Sequence, residues 1–194
     1  MCLDFANTVD NRPGAARRHD HLLSYRDLIN WAQQTGVLSS SEGAALRRTA
    51  DGRPQLARRT FTRAIRLREA IYDAFSARAA GQGVPAQSLA TITREASIAA
   101  SHRRIWPRHG DFSWTWDSPA ENLDRPLWPV SLSAADLLTT ERVNLVRVCA
   151  LQTCGWLFLD TSRNQTRRWC DMRVCGNRAK VRRFYERSRS QHAM

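Results

Sequence analysis

Four cysteines towards the C-terminal end constrain this chain more than any other feature. Cys149, Cys154, Cys170 and Cys175 follow the pattern C-x4-C-x15-C-x4-C. Each short spacing turns the chain back until two thiolates converge on one point. The insert then brings the second pair round to the opposite side. That is the ligand arrangement of a closed tetrahedral site, and four sulfur ligands favour one structural zinc ion per chain. Two competing readings are a pair of disulfides and four ordinary buried thiols. Disulfides need an oxidising compartment, and nothing in the sequence marks secretion. Ordinary buried thiols need no paired spacing. Cys2 stands alone, either as a small apolar filler or as a free thiol.

The residues after the last cysteine extend the argument. Cys175-Gly176-Asn177-Arg178 leads into AKVRRFYERSRSQ, whose composition predicts a helix. Gly176 is expected to take a left-handed turn and Asn177 to cap the helix, with Val181, Phe184 and Tyr185 as its apolar contacts. Between Arg163 and Arg189 there are ten basic residues, nine Arg and Lys180, against Asp171 and Glu186. A metal knuckle followed by a basic helix presents cations to nucleic acid phosphates. The expected face comprises Arg163, Arg167, Arg168, Arg173, Arg178, Lys180, Arg182 and Arg183. Most would touch phosphate, with Arg182 or Arg183 best placed for base edges. Arg167 and Arg168 could also offset the charge of the thiolates.

These residues also carry a resemblance. Cys175-Gly176-Asn177-Arg178, with Ala179 and Lys180, resembles the signature of the CGNR zinc finger. The likeness continues through Cys154-Gly155-Trp156-Leu157-Phe158-Leu159-Asp160-Thr161-Ser162-Arg163-Asn164 and Arg167-Arg168-Trp169-Cys170. It also covers Cys2-Leu3-Asp4-Phe5-Ala6-Asn7-Thr8 at the start and Pro126-Leu127-Trp128-Pro129-Val130 in the middle. The chain is thereby identified as similar to bacterial stress-induced transcription regulators in which an ABATE domain precedes the finger. The resemblance implies a zinc-dependent, DNA-binding regulator.

The chain has 194 residues, enough for one core and a small metal module, and 42% of them are hydrophobic. Its net charge of +12 suits a polyanionic partner, although a basic and indifferent surface is the bland alternative. Only one of the 30 basic residues is a lysine, a skew that points to coding bias as much as to phosphate. No apolar run is long enough for a membrane span, and MCLDFANTVD does not read as a signal peptide. A cytoplasmic location is expected.

In chain order, Leu3, Phe5 and Val9 predict a short strand or helical turn. Asn7 and Thr8 either close a turn or line a pocket. Asn11-Arg12-Pro13-Gly14 reads as a turn and the following AARRHDH as a loop. Helices are predicted over 24–35, from a Ser40 or Ser41 cap to Asp51, over 54–80, over 85–100 and over 127–138. The longest has Leu56, Phe61, Ile65, Leu67, Ile71, Tyr72 and Phe75 as its apolar stripe and an arginine stripe around it. Arg68 and Glu69 could form an internal pair. In the helix over 85–100, Leu89, Ile92, Ala96 and Ile98 are expected to be buried. Two strands, 104–107 and 112–116, flank a loop at His109-Gly110-Asp111. Phe112, Trp114 and Trp116 share one face, expected to pack on helices; a stacking platform for single strands is the alternative.

No nucleotide-binding, metalloprotease or nucleophile-elbow motif is present, and a closed four-thiolate site has no open coordination position, so no enzyme is expected. A small-molecule effector is the main alternative function, with Asp4, Asn7, Arg68, Trp114 and Trp128 as candidate pocket residues. A purely structural finger that binds protein is another. The expected architecture is mainly α (α+β): a helical domain over 1–140 with a small antiparallel hairpin, then a zinc finger over 141–194 docked on it and ending in a basic helix. A homodimer is plausible on the small size of one finger.

Overall fold

The computed structural model describes residues 1–12, 18–108, 110–117 and 121–191. The expected turn at Pro13-Gly14, residues 15–17 of the loop after it, and His109 lie outside these, and the described remainder of that loop contains a two-residue strand at His19–Asp20 that pairs with Val9–Asp10. Among the described residues the chain forms seven α-helices and three small antiparallel hairpins, as the sequence predicts for a mainly helical protein.

The chain starts as a short helix, α1 (Cys2–Ala6), with Cys2, Leu3, Phe5 and Ala6 all buried. Strands β1 (Val9–Asp10) and β2 (His19–Asp20) pair next. In α2 (Tyr25–Gln34), Ser24 caps the first turn by accepting from the Asp27 amide, and Gly36 at φ 73° follows its end. In α3 (Ser40–Gly52), the cap is Ser39 rather than Ser40 or Ser41. Only from Ser39 does the acidic residue fall at the third helical position, and Glu42 closes the reciprocal capping box there.

The central rod is α4 (Pro54–Ala79), entered by proline at its first position and packed against α1, α2, α5 and α6. Leu67, Ile71 and Phe75 are buried as expected, but Leu56, in the first turn, is 44% exposed. Small residues Ala57, Thr60, Ala64, Ala70 and Ala74 complete the inner face and let neighbouring helices approach closely. Arg68 is buried on this rod. Its guanidinium donates to both carboxylate oxygens of Asp20, at 2.6 and 2.7 Å, and to Glu69 at 2.9 Å. The internal Arg68–Glu69 pair therefore forms, and Asp20 is its stronger partner.

Helix α5 (Ala86–Ser101) is rotated from the expected face. Ser88, Ile92, Glu95, Ala96 and Ala99 are buried, Ile98 only partly, and Leu89 is exposed. Glu95 sets the rotation, since it receives a bidentate contact from Arg63 of α4 at 2.6 and 3.3 Å. Strands β3 (Arg103–Arg108) and β4 (Asp111–Trp116) form the hairpin, with Ile105 opposite Trp114 and Pro107 opposite Phe112. Its aromatic face does not pack on helices. Phe112 and Trp114 are 71% and 58% exposed, and only Trp116, at the base, reaches the core, 5.3 Å from Trp128. Helix α6 (Leu127–Leu138) matches its predicted span and buries Trp128 against His102.

A 3-10 turn, Glu141–Leu145, leads into β5 (Val146–Val148), which pairs with β6 (Leu157–Leu159). Val146 and Leu157 belong to the main hydrophobic cluster, so this last hairpin is built into the helical core. Helix α7 (Asn177–Gln191) ends the described chain. No described helix is long and apolar enough to cross a membrane.

Candidate metal centre and nucleic-acid face

The β5–β6 hairpin supplies the first half of the site. The Cys149 amide donates to the Trp156 carbonyl, which closes the hairpin around the turn at 150–155. Within that turn the Cys154 amide donates to Leu151, and Gly155 takes φ 73°. The left-handed glycine of this knuckle is thus Gly155, not Gly176. The second half arrives through a loop tied by Asp160. This carboxylate, buried from solvent, accepts from the Ser162 hydroxyl, the Ser162 amide and the Arg167 amide. The Ser162 hydroxyl is the main cause holding the Asp160 carboxyl below its ordinary range. Ala150 then donates to the Arg168 carbonyl and lays the loop alongside the first knuckle.

Of the last two cysteines, Cys170 precedes a wide helical turn over Met172–Gly176 and Cys175 lies within it. Asp171 starts it by accepting from the Val174 amide, and Cys175 donates to the Asp171 carbonyl. Asn177 lies inside α7 with helical φ and ψ; its side chain donates to the Arg173 carbonyl, so it joins the turn to the helix and does not cap it. At Gly176 the constraint is closeness to a side chain rather than handedness. A Cβ there would lie 2.6 Å from the Met172 sulfur.

These elements bring all four Sγ atoms within 4.8 Å of one another. Cys154 and Cys170 are 3.7 Å apart, and Cys170 and Cys175 are 3.6 Å apart. Four sulfurs about 2.3 Å from a central ion would sit roughly 3.8 Å apart, so the spacing fits a tetrahedral thiolate site. All five cysteines of the described chain are free thiols, and the disulfide reading is not what the structure adopts. Left to themselves, the thiols share charge unevenly. A hydrogen bond from Cys170 pulls the Cys154 thiol down, while the same contact raises Cys170 and burial raises Cys175. A dication between them is what would let all four ionise together. Leu151 and Phe158, with Trp156 and Trp169, form a small apolar shell around the sulfurs.

The eight expected cations are all exposed and surround this centre, but they are not equally free. Arg167 donates to the carbonyls of Trp169 and Cys170, the latter at very close range, and stacks on Phe158, so it braces the loop. Arg168 lies over Trp169, and Arg182 pairs with Glu186 at 2.8 Å. Arg163, Arg173, Arg178, Lys180 and Arg183 make no side-chain contact of this kind among the described residues. Val181, Phe184 and Tyr185 do not pack on the finger; they are 55–67% exposed along α7.

The candidate pocket residues do not come together. Arg68 is sealed in its ion pairs, Trp128 is core, and Trp114 lies on the open hairpin. Asp4 and Asn7 do line one cleft of about 530 Å³, with Asp27, Asn30, Trp31 and Trp156. Asn7 has a further role that its sequence context does not reveal. Its side chain donates to the Leu157 carbonyl at 2.8 Å and accepts from the Leu157 amide at 2.9 Å. Trp156 donates to the Val9 carbonyl, and Tyr72 of α4 donates to the Gly155 carbonyl. The metal knuckle is therefore bolted to α1, β1 and α4.

Comparison with known families agrees with this geometry. Residues 1–141 match the ABATE family, described as "Putative stress-induced transcription regulator". The chain belongs to the ABATE family. Residues 146–188 match the CGNR zinc finger, so the four-cysteine cluster falls within that module. No curated protein matches the chain.

Proposed function

We propose that this ABATE–CGNR protein is a cytoplasmic, non-enzymatic transcription regulator. It holds one zinc ion on Cys149, Cys154, Cys170 and Cys175 and binds duplex DNA through the finger. The observation that carries the reading is the direct passage from the fourth thiol into α7, where Arg178, Lys180, Arg182 and Arg183 project into solvent beside the knuckle. Zinc would supply the rigidity that so short a segment cannot draw from its own apolar contacts. The exposed cations would then meet phosphate, with α7 as the element that enters a groove.

The test is fluorescence anisotropy on a 24-base-pair duplex across a salt series, with and without chelator, and metal analysis of the same sample. One zinc per chain, and an affinity that falls with salt and with chelation, is the expected result. Stoichiometric zinc with no duplex affinity even at about 50 mM salt would reduce the finger to a structural element. A second reading, a small-molecule sensor, is favoured by the cleft at Asp4 and Asn7. It abuts Trp156, so an occupant could bear on the knuckle.

A further inference from the structure

We propose that the N-terminal half of α4 is a second nucleic-acid-binding surface, separate from the finger, that grips the phosphate backbone without reading sequence. Residues 48–66 contain Arg48, Arg53, Arg58, Arg59, Arg63 and Arg66, with Asp51 as the one acid. Arg63 is committed to Glu95 and Asp124. The other five are exposed and make no ion pair or side-chain hydrogen bond among the described residues.

Their isolation follows from where the acids went. Asp51 pairs with Arg26, Glu42 with Arg125, and Glu95 and Asp124 with Arg63. Glu69, the next acid along α4, is held by Arg12, Arg18 and Arg68. These carboxylates are thus spent on other cations; Asp73, two turns beyond Arg66 on the same face, is exposed and makes no ion pair among the described residues. Arg58, Arg59 and Arg66, with Gln55 and Thr62, lie opposite the buried stripe of Ala57, Thr60, Ala64 and Leu67. At 1.5 Å per residue the row from Gln55 to Arg66 runs about 16 Å. Like charges this close repel one another, and none of the three is paired with a carboxylate among the described residues. A polyanion offsets them, and the released counterions favour its binding.

The occupant is the backbone of a nucleic acid duplex rather than an acidic protein. The row runs along one straight helix, and between Gln55 and Arg66 its charged side chains are all positive, with uncharged Gln55 and Thr62 beside them, which suits a run of phosphates. Along the rod the row also lies near the finger, since Tyr72, which touches the knuckle, follows Arg59 by 13 residues, about 20 Å.

The proposal shares with the function above the premise that duplex DNA is a partner, so its test separates the two surfaces. The full-length protein is titrated with the 24-base-pair duplex between 50 and 200 mM salt. Variants are Arg58→Ala/Arg59→Ala/Arg66→Ala, the same three positions changed to Lys, and Arg182→Ala/Arg183→Ala, each checked for an unchanged melting temperature. Loss of two to three phosphate contacts lowers the salt slope of the alanine variant by about 2. Its deficit against wild type then shrinks about 16-fold across that fourfold salt range. The lysine variant keeps the wild-type slope, as point charges on phosphate should. If the alanine variant binds with wild-type affinity and slope, this surface is merely solvated, whatever the finger does. If it loses affinity while Arg182→Ala/Arg183→Ala does not, the surface stands and the finger reading falls. If the wild-type protein ignores the duplex at 50 mM salt, both are overturned.

Discussion

Replacing Asn7 by alanine should loosen the finger from the helical domain, and the structure sets the size of the effect. The Asn7 amide makes two hydrogen bonds to one residue, donating to the Leu157 carbonyl and accepting from its N–H. Leu157 is only 1% exposed, and Asn7 is half-buried at the edge of the cleft, so water replaces these bonds only from the cleft side. A buried donor or acceptor left unpaired costs about 1–3 kcal/mol. Alanine strands one of each, and partial relaxation brings the expected loss to about 2–4 kcal/mol. In a chain of this size each kcal/mol moves the melting temperature by about 2–4 °C, so a fall of roughly 5–15 °C is expected. The assay is thermal denaturation of the metal-loaded protein followed by circular dichroism. Asn7→Asp is the informative companion. Its carboxylate can accept from the Leu157 amide but would face the Leu157 carbonyl with no proton to give, so it should be no better than alanine. An Asn7→Ala protein melting within about 2 °C of wild type would refute the claim that this side chain carries the junction.

Three further outcomes are expected. Chelation should abolish the near-ultraviolet signal of Trp156 and Trp169, which lie against the thiols, while leaving most far-ultraviolet helicity, because α1 to α6 lie outside the metal cluster; loss of both signals together would contradict it. Acid should destabilise the fold through Asp20 and Glu69. Burial would raise both carboxyls, but Arg68 for Asp20 and Arg12 for Glu69 outweigh it and hold them below their ordinary range. A lowered folded pKa gives stability that is present above the unfolded value, near 4, and lost as pH falls through the folded value. Urea midpoints should therefore drop below about pH 4, and less steeply in Arg68→Met, which is itself less stable at neutral pH. Gly155→Ala should cost about 1 kcal/mol, because it forces a side chain onto φ 73°, whereas Gly176→Ala should cost less, since the atom it meets is the flexible, half-exposed Met172 sulfur. Urea titration of both variants checks the order.

Periodic and local features were legible in the sequence. The spans of α2, α4 and α6 follow apolar spacing closed by Ser24, Gly36 and Pro54, and the cysteine spacing gives the cluster without any structure. Serine runs were less decisive, since three in succession precede Glu42 and only the box geometry selects Ser39. What stayed hidden depends on long-range partners. Glu95 turns α5 because Arg63 waits across the interface, and no helical period announces that. Phe112 and Trp114 alternate as a buried face would, yet their hairpin extends past the helices that might have covered it. Asn7 meets Leu157 across 150 residues of sequence, and an asparagine beside a threonine reads locally as a turn.

The placement of Val146 and Leu157 in the main core has a consequence for how the protein comes into being. Ribosomal synthesis delivers the helices first, but their shared interior stays incomplete until the strand beyond residue 156 has emerged. A chain cut at residue 141, where the first family match ends, would carry every helix of that region and still leave a gap against α1 and α4 where Val146 and Leu157 belong. Folding of the first segment is therefore finished by the second.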